Sequence, residues 1–110
     1  MSCNVVATEY FLRSVKKIFK KHRTILADIE KLDELLAKNP NYGTPLGNNL
    51  FKIRLAISNS GKGKSGGARV ITYVKITNNT VYMVAIYLKS EISSMDEQGI
   101  LQKLAKDQLL

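Results

Sequence analysis

The chain has 110 residues, 45% of them hydrophobic, which suffices for one modest core and leaves no room for a second domain. Its single cysteine, Cys3, excludes an internal disulfide, and its single histidine, His22, excludes a His/Cys zinc cluster. The hydrophobic content speaks against a disordered tail, and the formal net charge of +8 points toward a polyanionic or strongly acidic partner.

Residues 1–110 therefore read as one domain. At the N-terminus, Met1 to Glu9 carries no basic segment followed by an apolar run, so no secretory signal is expected. No stretch is long and apolar enough for a membrane helix, and the expected location is the cytoplasm, with no membrane partner. Asn4 to Ala7 suits a short strand. From Glu9 the pattern turns helical, with Phe11, Val15, Ile18 and Phe19 on one face and Arg13, Lys16, Lys17, Lys20 and Lys21 in the other positions. A second helix is expected over Thr24 to Ala37, striped by Ile25, Ile29, Leu32 and Leu36, with Asp28, Glu30, Lys31, Asp33, Glu34 and Lys38 as its solvated positions. The short link Lys21-His22-Arg23 makes the pair a helical hairpin.

The stretch from Asn39 to Asn49 is dense in turn formers and ends the helical region. From Leu50 the period becomes two: Phe51, Ile53, Leu55 and Ile57 share one face, and Lys52 and Arg54 the other. A polar loop with four glycines, Ser58 to Gly67, leads to a strand over Ala68 to Ile76. A turn at Asn78-Asn79 joins it to Val81–Leu88, which is apolar on both faces and should be an inner strand. The tail from Met95 reads as a helix, with Ser94 and Glu97 spaced as a capping box. The fold expected is α+β: a small antiparallel sheet with an N-terminal helical hairpin and a C-terminal helix.

The charge is unevenly placed. Between Glu34 and Glu91 there is no acidic residue, while Lys38, Lys52, Arg54, Lys62, Lys64, Arg69, Lys75 and Lys89 all fall there. The remaining nine basic residues are balanced by the nine acidic ones, so the formal excess belongs to the middle segment. Gly63-Lys64-Ser65 resembles the end of a phosphate-binding loop, but Ser58 stands where that motif needs glycine, and a strand follows instead of a helix. Lys62 and Lys64 in this loop, with Lys75 on the following strand, remain as RNA-contacting candidates.

No acidic pair in the middle segment is available to hold magnesium, so neither metal nor cofactor is expected. RNA cleavage does not require one when the RNA's own 2′-hydroxyl attacks the adjacent phosphate. The protein then aligns the chain, stabilises the transition-state charge and assists proton transfer. Lys52, Arg54, Arg69 and Lys89 are positioned on strands to converge on one phosphate, and Tyr87 shares a face with Lys89 as a proton donor or base-stacking group. These five are the candidate catalytic residues; the four cations are expected to meet on one exposed patch, and Tyr87 reads equally as a core tyrosine with its hydroxyl at the rim.

The chain resembles the RelE/HigB-like toxins of bacterial toxin–antitoxin pairs from roughly Thr8 to Leu104. The resemblance rests on Asn39-Pro40 with Gly43-Thr44, and on Phe51-Lys52-Ile53-Arg54-Leu55. It continues through the run from Gly63 to Tyr73 and ends on Ile86-Tyr87-Leu88-Lys89-Ser90-Glu91. It implies a RelE-like fold and a ribosome-dependent messenger RNA endonuclease that leaves a 2′,3′-cyclic phosphate. Its partners would be mRNA, the ribosome and a cognate acidic antitoxin. The family's basic residues map to Lys52, Arg54, Arg69 and Lys89. Several members carry a Tyr or His shortly after the last strand, where this chain has Ser90-Glu91-Ile92-Ser93-Ser94. Two alternatives use the same basic face: a non-catalytic RNA- or ribosome-binding module, and an interaction domain for an acidic protein.

Overall fold

The structure, a computed structural model, describes residues 3–58 and 67–90 together with Gly99 and Gln102. In chain order its elements are β1 (Asn4–Ala7), α1 (Glu9–Lys21), α2 (Ile25–Lys38), β2 (Thr44–Gly47), β3 (Leu50–Leu55), β4 (Ala68–Lys75) and β5 (Thr80–Leu88). A 3-10 turn, Ile76–Asn78, lies between the last two strands. The strands form one sheet in the order β1-β5-β4-β3-β2.

The two helices arise from the expected stripes. Phe11, Val15 and Ile18 of α1 and Ile25, Leu32 and Leu36 of α2 are buried in a single cluster with Ile53, Val70, Val74, Val81, Met83 and Ile86 of the sheet. Both helices therefore cover the same sheet face. Asp28 departs from expectation: it is 5% exposed and not solvated. It lies three residues after Ile25 and four before Leu32, so it falls within the inward stripe. There its carboxylate accepts from the Ser58 backbone N–H at 3.1 Å and from the Ser58 hydroxyl.

The sheet is mixed, which corrects the all-antiparallel expectation, because β1 runs parallel to β5. No hairpin joins these two strands, so no turn forces them to oppose. Their relation is fixed by Thr8, the residue between β1 and α1. Its backbone N–H donates to the Met83 carbonyl at 3.1 Å, its hydroxyl reaches the Met83 and Val84 carbonyls, and the same oxygen caps α1 by accepting from the Phe11 N–H.

The turn-rich segment also conceals a strand. β2 pairs antiparallel with β3 through a two-residue turn, Asn48-Asn49, in which both residues have positive φ (54° and 64°). Asn79, at φ 52°, closes the β4–β5 hairpin near the expected turn. Gly43 precedes β2 at φ +109°, where an added Cβ would lie 2.7 Å from the Lys52 carbonyl oxygen. Of the expected C-terminal helix, the described residues are Gly99 and Gln102, both helical. The rest of that segment and the loop over 59–66 lie outside the described residues.

Candidate functional site

The register of the sheet sets the site. Arg54 on β3 pairs with Arg69 on β4, and Arg69 pairs with Tyr87 on β5. Residues directly opposite on adjacent strands have Cβ atoms about 5 Å apart and point to the same face. Ile53, Val70 and Ile86, which alternate with this row, are buried in the helix-side cluster. The Arg54–Arg69–Tyr87 row therefore lies on the face away from α1 and α2. Lys52, two residues before Arg54, shares that face about 7 Å along the strand.

Three of the four expected cations are thus neighbours on one face. Lys89 follows directly after β5, exposed, with its backbone N–H donating to the Gly67 carbonyl at 3.1 Å. Gly67 is itself packed so closely on the Leu55 carbonyl that a side chain there would collide with it. This seam joins the ends of β3, β4 and β5 beside the row. Lys75 lies at the opposite end of β4, six residues or about 20 Å from Arg69. It does not join the group. Lys62 and Lys64 lie outside the described residues.

Exposure differs across the row, and at Arg69 this corrects the expectation of one open patch. Arg54 and Lys89 are exposed and Lys52 is half-buried, whereas Arg69 is 5% exposed; Tyr87, also 5% exposed, takes the core position that its strand allowed. Strand alternation fixes which face a side chain takes but not how deep it sits. Arg69 occupies the central strand of the five, flanked on both sides, and its guanidinium donates to the Ala68 carbonyl at 3.2 Å. The same face also buries Leu50, Ile71, Tyr73, Val84, Ala85 and Tyr87 in a second apolar cluster. A bulge on β5, where the register shifts between Ile71 and Thr72, helps place both Val84 and Ala85 there.

Burial governs the tyrosine. It raises the Tyr87 pKa above its ordinary 10.0, and the nearby Arg69 charge only partly opposes that. Tyr87 is therefore a neutral phenol over the physiological range, able to donate a proton beside the Arg69 guanidinium, with Arg54 one strand further along the row. Sequence reasoning missed Thr8, whose signal is a Thr immediately before a helical run, and Asp28, whose signal is its position in the apolar stripe.

A cleft of about 290 Å³ opens between α2 and β3, lined by Leu32, Leu35, Tyr42, Ile53 and Leu55 together with the charged Asp28, Lys31 and Arg54. Its lining is mainly apolar, unlike the cationic row, with which it shares Arg54. Among the described residues, no group of three or more His, Cys, Asp or Glu side chains is placed to hold a metal ion. No helix among them is long and apolar enough to cross a membrane.

A protein-family model described as the RelE toxin of the RelE/RelB toxin–antitoxin system matches residues 4–109. Among solved structures, a mutant of the E. coli toxin RelE in its free state is similar in fold, with a TM-score of 0.61 at 15% identity. The match covers 97% of this chain and 98% of that one.

Proposed function

The chain belongs to the RelE toxin family, and from that premise we propose that it is a ribosome-dependent messenger RNA endonuclease of the HigB-like branch, acting in the cytoplasm without a metal. The observation that carries this reading is the cross-strand row Arg54–Arg69–Tyr87, which puts a neutral proton donor in line with two cations on one face, Arg69 being next to it. Arg54 and Arg69 grip one phosphodiester and stabilise the charge that builds on its oxygens. The RNA 2′-hydroxyl forms the new bond to phosphorus and loses its proton to water, and the bond to the 5′ oxygen breaks. Tyr87 donates its proton to that leaving oxygen and is reprotonated from solvent. The products are a 2′,3′-cyclic phosphate and a 5′-hydroxyl. Lys52 and Lys89, nearer the surface, draw in and align the flanking backbone, with Lys62, Lys64 and Lys75 adding sequence-independent contacts.

The family implies an antitoxin partner. We propose that it is acidic, since the acid-free interval between Glu34 and Glu91 offers it a one-sign field. A second reading, a non-catalytic RNA- or ribosome-binding module, is favoured by the depth of Arg69 and Tyr87. Expression without the antitoxin separates the two. The endonuclease arrests growth, and Arg54→Ala relieves the arrest with little change in stability because Arg54 is exposed. Undiminished arrest by a folded Arg54→Ala protein would contradict the assignment.

A further inference from the structure

Strand alternation alone does not settle the face that Tyr87 takes. Tyr82 and Tyr87 are five residues apart on β5, an odd separation that puts two residues on opposite faces of a regular strand. Both nonetheless pack in the cluster on the face of the row. The bulge reconciles them: Thr72 pairs with Met83 and Ile71 with Ala85, which leaves Val84 as the extra residue. Without the bulge, the pairing of Thr72 with Met83 would carry on to set Arg69 opposite Ile86 and Ala68 opposite Tyr87. Tyr87 would then share the helix-side face of Ala68 and Val70, away from Arg54 and Arg69. β5 is apolar on both faces, so its own pattern hardly penalises that slip.

The bulge is held from outside its own hairpin. The β1–β5 ladder ends at the pair Ala7–Met83, and Thr8 follows beside the bulge. Its backbone N–H donates to the Met83 carbonyl at 3.1 Å. Its half-buried hydroxyl donates toward the Met83 and Val84 carbonyls at 3.3 and 3.2 Å, the two carbonyls whose peptide bonds flank Val84. In a regular strand successive carbonyls point to opposite edges, and one hydroxyl does not reach both. We infer that Thr8 is a positioning residue for Tyr87: its hydroxyl pins the β5 bulge, and the bulge turns Tyr87 onto the face of Arg54 and Arg69. This rests on the endonuclease reading, in which Tyr87 is the proton donor, and adds the residue that aims it.

The test uses three substitutions. Thr8→Ser keeps the hydroxyl, and Thr8→Val keeps the shape without it. Thr8→Asp still caps α1, but its carboxylate cannot donate to a carbonyl. NMR reads the register through the cross-strand contact between Arg69 and Tyr87, and ribosome-dependent cleavage gives kcat and KM. Thr8→Ser is expected to match wild type. Thr8→Val and Thr8→Asp are expected to lose the Arg69–Tyr87 contact and about tenfold or more in kcat. KM stays unchanged, because the exposed cations that hold the RNA are untouched. In a Tyr87→Phe background the same substitutions cost nothing further in kcat. A folded variant of either kind that keeps the Arg69–Tyr87 contact overturns the inference, as does an equal loss of kcat in the Tyr87→Phe background. Should Thr8→Val fail to fold, Thr8→Asp decides alone, because it retains the cap. If wild type cuts no messenger on ribosomes, the endonuclease reading fails, and the Arg69–Tyr87 contact still decides whether Thr8 holds the bulge.

Discussion

At Tyr87 two effects oppose each other: burial raises the phenol's pKa above 10.0, and the positive charge of Arg69 lowers it, with burial the larger. A tyrosine held neutral is suited to give a proton and poorly suited to take one, which assigns it to the leaving oxygen. The same shift carries a consequence for stability. Below pH 10.0 both folded and unfolded chains keep the proton. Above it the unfolded chain releases the proton first, so stability falls as pH rises toward the folded-state value. Denaturation of the wild type as pH rises through and above 10.0 should show that fall, and Tyr87→Phe should reduce it. Thr72 provides a residue-scale test of the core. It is fully buried, and its hydroxyl has no hydrogen-bond partner among the described residues. Thr72→Val keeps the shape and removes the unpaired oxygen, so the urea midpoint should rise by an amount equivalent to about 1 kcal/mol. A lower midpoint would mean that the hydroxyl is paired.

At the scale of elements, periodicity carried most of the fold. The stripes Phe11-Val15-Ile18 and Ile25-Leu32-Leu36, and the alternation of Lys52 and Arg54 with Ile53, appear in the structure as read. What the sequence concealed has physical reasons. β2 contains Pro45 and Gly47, which speak for a turn, yet an edge strand tolerates proline because one side of it has no ladder to satisfy. The parallel pairing of β1 with β5 depends on contacts between chain positions more than seventy residues apart, such as Thr8 with Met83, which no local pattern encodes. The face of Arg69 was legible from strand parity, but its depth was not, since depth depends on packing around the whole central strand. Gly43 tests the entry to β2 and β3. Alanine there adds a Cβ 2.7 Å from the Lys52 carbonyl at a φ of +109°. Gly43→Ala should cost about 2 kcal/mol or more in chemical denaturation.

Across the whole molecule, the helices pack on one side of the sheet and the Arg54–Arg69–Tyr87 row lies on the other, so the proposed catalytic surface does not share a core wall with the helix layer. The acid-free middle segment gives the row its field, and the balanced composition elsewhere hides the local excess on α1. The charge distribution was legible early because it requires only the order of residues. The convergence of Arg54, Arg69 and Tyr87 needed the register of three strands, which the sequence suggested and pairing realised. The most direct test is primer extension on a defined messenger, with and without translating ribosomes, for wild type, Tyr87→Phe and Arg54→Ala. The account predicts ribosome-dependent cuts ending in a 2′,3′-cyclic phosphate, weakened about 100-fold by each substitution. Intact messenger with ribosome-bound wild type, or undiminished cutting by Tyr87→Phe, would contradict it.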